Sequence, residues 1–209
     1  LGRLNAKVTP LRFSVWKTFL SISIVSFMMA VNCGSNCPSM GVHIARTSLL
    51  PGHAAPFEYL CHVFFEGRFP RVSAPDAPNA SSPDIIVWAN RGGGKTFLGA
   101  LATLLDLLFK PGMQIRILGG SLDQSLRMRA HLAAFLSHEN LDAIPRRITA
   151  RAVTILRAGK GQNSVAEVLA ASQTSVRGTR VQKLRCDEVD LFDPEVWDAL
   201  TRQFEAQLI

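Results

Sequence analysis

The chain has 209 residues, 47% of them apolar, and a formal net charge of +7. That length and apolar share exclude a disordered chain and a disulfide-stapled miniature, and they allow one core-forming domain with extra terminal sequence. Bases outnumber acids up to Lys160, and acids outnumber bases beyond it, clustered between Asp187 and Asp198. Such a distribution suits a protein that meets a polyanion and also holds a divalent cation, and equally an ordinary solvated surface.

Residues 1–50 form a segment with no assigned role. Within it, residues 19–31 (FLSISIVSFMMAV) make an apolar run preceded by Arg12 and Lys17. The run is short for a membrane span. It reads as a buried helix, as a leader outside the domain, or as an anchor, and no small-residue cleavage pattern follows it. Cys33 and Cys37 are four apart, and His43, His53 and His62 fall at no metal-ligand spacing. Free thiols are expected at all four cysteines, with Cys61 and Cys186 the other two.

Residues 51–83 are a proline-rich lead-in, in which residues 57–65 (FEYLCHVFF) predict a short buried helix and residues 72–83 a linker. The regular part begins at residue 84. Residues 85–88 (IIVW) predict a buried strand, and residues 96–109, apolar almost all round, a buried helix stopped at Pro111-Gly112. Residues 115–118 predict a second strand. Ser121 with Gln124 predicts a capping box opening a helix to about Leu136. Residues 148–156 and 164–170 predict two strands joined by a turn over 159–162, residues 181–186 a last strand, and residues 194–207 a last helix. Strand–helix alternation of this kind predicts an α/β domain over 84–209, with a mainly parallel sheet and helices on both faces.

Between the first predicted strand and its helix lies Ala89-Asn90-Arg91-Gly92-Gly93-Gly94-Lys95-Thr96. Its position and glycine content are those of a phosphate-binding loop, with Ala89 where the first glycine of the pattern stands. Glycines let successive backbone N–H groups converge on a phosphate, and the helix N-terminus adds a positive dipole end. Lys95 is expected on the β/γ-phosphates of ATP and the Thr96 hydroxyl on Mg²⁺. Arg91 is either a second cation at the phosphates or an exposed loop arginine. The last predicted strand ends in Asp187-Glu188, at the sheet edge where ligands of open α/β sheets bind. Asp187 there can serve Mg²⁺, and Glu188 can orient and deprotonate the attacking water. Lys183 and Arg185 alternate with Leu184 and Cys186, which predicts one face of this strand turned to solvent or to DNA.

Three stretches, WANRGGGKT (88–96), IRILGGSL (115–122) followed by Gln124, and AASQTSVRGTRVQKLRCDEVDLF (170–192), resemble the large terminase subunit, the ATPase that packages DNA into phage heads. The resemblance covers a little over half the chain, and its third stretch is the most specific. It implies an additional-strand, RecA-like P-loop NTPase fold and an ATP-hydrolysing motor that drives double-stranded DNA. It also implies a homo-oligomeric ring, portal and small-terminase partners, the bacterial host cytoplasm, and no membrane partner. By position it places Arg91 and Lys95 on phosphates, Asp187 on Mg²⁺ and Glu188 as the base. The family's coupling motif beyond the acidic pair and its nuclease domain are not found before Ile209, so a truncated packaging ATPase is expected. A helicase-like ATPase and a nucleotide-binding remnant without motor activity are the competing readings. Arg177, in Ser175-Val176-Arg177-Gly178-Thr179, has three open uses: an arginine finger, a structural ion pair with Asp187 or Asp190, or a DNA-phosphate contact.

Overall fold

The computed structural model describes residues 42–48, 50–66, 84–170 and 181–205. The apolar run 19–31, Cys33, Cys37 and the Arg177 turn lie outside them. Among the described residues no helix is long and apolar enough to cross a membrane, and Cys61 and Cys186 are free thiols.

The elements are α1 (Pro56–Phe65), α2 (Lys95–Phe109), β1 (Gln114–Gly119), α3 (Leu122–Leu136), β2 (Arg146–Ile148), β3 (Ala152–Ile155), β4 (Ser164–Ala170), β5 (Lys183–Asp187) and α4 (Pro194–Glu205). Short 3₁₀ turns occupy Glu139–Leu141 and Val189–Leu191. The fold is a mixed α/β one around a five-stranded sheet in the order β2-β3-β4-β1-β5. β1 runs parallel to both β4 and β5. β3 is antiparallel to both β2 and β4. The parallel part is therefore the half that holds β5, and β2–β3 is an antiparallel hairpin at the other edge.

Alternation along the strands assigns the two faces. Leu118, Leu169, Leu184 and Cys186 cluster with Phe192, Val196, Ala199 and Leu200, so α4 covers one face. On the other face Lys183 and Arg185 reach Asp106 of α2. Between Gly99 and Leu107 every residue of α2 is buried, as its all-round apolar pattern predicts. Gly119 lets the end of β1 approach α3 closely, since a Cβ there would lie 2.9 Å from the Ser125 backbone nitrogen.

Two sequence expectations are corrected. Residues 148–156 are not one strand. Thr149 N–H donates to Ala152 O (2.8 Å) and Thr149 Oγ1 accepts from Ala152 N–H (3.0 Å), which closes a turn between β2 and β3. Residues 85–88 join no strand pair among the described residues. They have no regular secondary structure and are exposed, Ile86 to 81% and Trp88 to 93%. An apolar β-branched run becomes a strand only where a neighbour completes its ladder, and here the described sheet ends at β5.

Candidate functional site

The loop before α2 is built by left-handed glycines. Gly92 has φ 80° and Gly94 φ 77°, conformations that residues with a Cβ rarely adopt. Gly93 N–H donates to Asn90 O at 3.1 Å, tightening the turn, and Gly94 is the N-cap of α2. Lys95 Nζ donates to Ala89 O (2.8 Å) and Asn90 O (3.1 Å), so the ammonium sits over the loop's own carbonyls. Arg91, Gly92, Gly93 and Gly94 are all exposed. The positive end of α2 thus opens to solvent beneath a cationic, glycine-rich turn.

β5 delivers the acidic pair to the same place. Thr96 Oγ1 donates to Asp187 Oδ2 at 2.6 Å, closing a gap of 91 residues. Asp187 is buried, and Glu188 is half-buried. These two oxygens are of the hard type that Mg²⁺ takes, with its other positions left to water and phosphate oxygens, so the donor set fits the expected ion. No group of three or more His, Cys, Asp or Glu side chains poised for a metal occurs among the described residues.

Glu188 lies in the left-handed region, with φ 53° and ψ 49°. Only one other non-glycine described residue, Glu66, has positive φ. The turn carries the Glu188 side chain to α3, where Gln124 Nε2 donates to Glu188 Oε2.

Below the site an ion-pair cluster ties α1, α2 and β5 together. Asp106 is fully buried and receives Lys110 (2.9 Å), Lys183 (2.9 Å) and Arg185 (2.5 Å). Lys110 and Lys183 also reach Glu66, at 3.0 and 3.4 Å. The same lysines cap the C-terminal end of α1, Lys110 on Phe64 O (2.6 Å) and Lys183 on Val63 O (3.1 Å). Lys183 and Arg185 therefore do not face solvent or DNA, as the sequence suggested. They are turned inward because one buried carboxylate on α2 needs cations, which is itself the missed signal: a lone Asp inside an apolar helix. Burial, with Lys110 and Arg185 alongside, outweighs the pull of Asp106 and draws Lys183 down to about 8. Burial also works against charge on Lys110, yet Asp106 and Glu66 hold its pKa above that of an ordinary lysine. Tyr59 of α1 is pushed up by burial, with Arg185, Asp106 and Asp187 within electrostatic reach.

The structure thus brings Lys95, Thr96, Asp187 and Glu188 to one edge, with Arg91 in the loop above. Arg177 lies outside the described residues. Sequence reading assigned Gln124 to a helix cap and missed Asp106.

No family model and no curated protein matches the sequence. Among solved structures the chain is similar to the large terminase ATPase domain of Thermus phage P74-26, with 18% identity over 56% of this chain and 53% of that one, at a TM-score of 0.47. A variant of that domain gives 17% identity over 56% and 52%, at 0.45. The large terminase of a thermophilic bacteriophage gives 14% identity over 55% and 29%, at 0.43. The chain matches about half the length of the first two and under a third of the last.

Proposed function

We propose that the chain binds ATP with Mg²⁺ and hydrolyses it, as a P-loop NTPase of the additional-strand, RecA-like class. The observation that carries this reading is the 2.6 Å contact between Thr96 Oγ1, at the first turn of α2, and Asp187 Oδ2, at the end of β5. A glycine loop alone is a flexible turn, and an Asp-Glu pair alone is a surface feature. Their meeting makes a site that offers phosphate a lysine, a helix N-terminus and two oxygens for a cation.

In this reading Lys95 leaves the carbonyls of Ala89 and Asn90 for the β/γ-phosphates, and the loop from Ala89 to Gly94 turns its N–H groups toward them. Arg91 adds a second cation there. Thr96 and Asp187 hold Mg²⁺, which when bound neutralises charge on the phosphate oxygens. Glu188 orients water and takes its proton. The resemblance of residues 88–96, 115–122 and 170–192 to the large terminase subunit extends the proposal. The ATPase is the motor of a DNA-packaging complex, acting on double-stranded DNA in the host cytoplasm, as a ring with portal and small-subunit partners. Arg177 is the candidate for charge delivered to the γ-phosphate.

The test is steady-state ATP hydrolysis with Mg²⁺. Lys95→Ala is expected to abolish turnover and weaken ATP binding. Glu188→Gln is expected to retain binding and lose about a hundredfold or more in turnover. A Glu188→Gln protein hydrolysing ATP at the parent rate would remove Glu188 from the base role, and a Lys95→Ala protein with parent affinity would remove the phosphate site.

A further inference from the structure

Gln124 occupies the third helical position of α3, where a glutamine after an N-cap serine ordinarily reaches back to the serine's backbone N–H. Half of that arrangement forms: Ser121 Oγ accepts from Gln124 N–H at 3.3 Å. The other half does not. Gln124 Oε1 is buried and has no hydrogen-bond partner among the described residues. Its Nε2 points instead across to Glu188 Oε2. A capping oxygen is left unused, at the desolvation cost of a buried unpaired acceptor, so that the amide can meet a carboxylate 64 residues away.

The residue is also firmly based. Ser125, next along the helix, donates its hydroxyl toward Ser121 O (3.1 Å) and Leu169 O (3.2 Å), fixing the first turn of α3 to the end of β4. Gly119 admits that turn against the end of β1. Gly120 is close-packed as well, where a Cβ would lie 2.7 Å from Leu191 Cβ and 2.8 Å from Gln124 Oε1. The Gln124 amide oxygen thus lies against Gly120, and Leu191 of the 3₁₀ turn that follows Glu188 packs on the same glycine. Glu188, reached through a left-handed backbone, has its carboxylate held from outside its own strand.

We infer that Gln124 is a positioning residue for Glu188, holding the carboxylate of the catalytic base in one orientation through an Nε2–H···Oε2 hydrogen bond. The inference rests on Glu188 being the base in ATP hydrolysis. Gln124 touches neither the loop from Ala89 to Thr96 nor Asp187 through any hydrogen bond of the described residues, so its effect falls on turnover rather than on nucleotide binding.

Gln124→Met separates this role from a structural one. Methionine keeps the length, forms helix well and removes the unpaired oxygen. The expected result is an unchanged or raised melting temperature, an unchanged KM for Mg-ATP and a kcat lowered about ten- to a hundredfold, the scale of a misplaced catalytic group. Placed on Glu188→Gln, the same substitution should lower the residual rate no further, since the two act as a unit. Gln124→Met with parent kcat, when Glu188→Gln is slow, overturns the positioning role alone. A full further loss on the Glu188→Gln background overturns it too, because Gln124 would then act elsewhere. Glu188→Gln at the parent rate overturns the base assignment, and the inference falls with it.

Discussion

The two sides of the candidate site are built very differently. Its floor, where α2 meets β5, is buried and cross-tied: Thr96 to Asp187 at the top, then Asp106 with Lys110, Lys183 and Arg185 beneath. Its roof, residues 84–94, is exposed throughout, with Lys95 folded onto the carbonyls of Ala89 and Asn90. The contrast teaches where precision resides. The pieces that set the cation position are locked by charge in a low-dielectric interior, while the piece that wraps phosphate is held by local turns and stays free to reshape around an anion.

The sharpest way to break the contrast is to remove the carboxylate at the centre of the floor. Asp106→Ala leaves three half-buried cations with Glu66 as the remaining acid of the cluster, and should cost about 3–5 kcal/mol in urea unfolding. A loss under 1 kcal/mol would mean that the cluster is dispensable to the fold.

A smaller effect comes from pH. The folded chain holds Lys183 at about 8, against 10.5 for a free lysine. Between these values the unfolded chain binds more protons, so this group makes stability rise with pH over that interval. Burial keeps the thiols of Cys61 and Cys186 protonated to about 11 and 12, which works in the opposite direction from pH 9 upward. The informative window is therefore pH 8 to 9. Over it the unfolding midpoint of the parent should climb by an amount worth at most about 1 kcal/mol, and Lys183→Met should flatten the climb. A parent midpoint that falls across the window contradicts the depressed lysine.

The smallest effect is expected on the roof. Ile86→Ser replaces a residue 81% exposed and outside the sheet, and should shift stability by no more than about 0.5 kcal/mol. A loss of 2 kcal/mol would show that residues 85–88 are packed as a buried strand after all, as their sequence pattern predicts.

That pattern marks where sequence reading succeeded and where it stopped. The helices α2 and α3, the strands β1 and β4, and the Ser121 cap were legible because each is specified by residues within its own span: apolar periodicity, a stop at Pro111-Gly112, a serine before a helix. Residues 85–88 were misread because strand formation is a property of two segments, and nothing in IIVW reports whether a partner stands beside it. Lys183 and Arg185 were misread for a related reason. Two cations on a strand face look solvated until one knows that Asp106 faces them from 77 residues away in the chain. Of the candidate site, the meeting of Thr96 with Asp187 was anticipated from motif context, whereas the diversion of Gln124 from its cap was not, since the cap and the contact use the same residue.

The left-handed backbone at residue 188 has a consequence for how this chain drifts under mutation. Asparagine and glycine adopt φ 53°, ψ 49° more readily than glutamate does. Replacements there that relax the main chain are thus the ones that delete the carboxylate or shorten it out of reach of Gln124. Random substitution, filtered for folding alone, would draw the position away from glutamate. A lineage that keeps Glu188 is opposing that drift, and one released from any need for the carboxylate should lose it early, while Asp187, buried against Thr96, and the Asp106 cluster beneath persist.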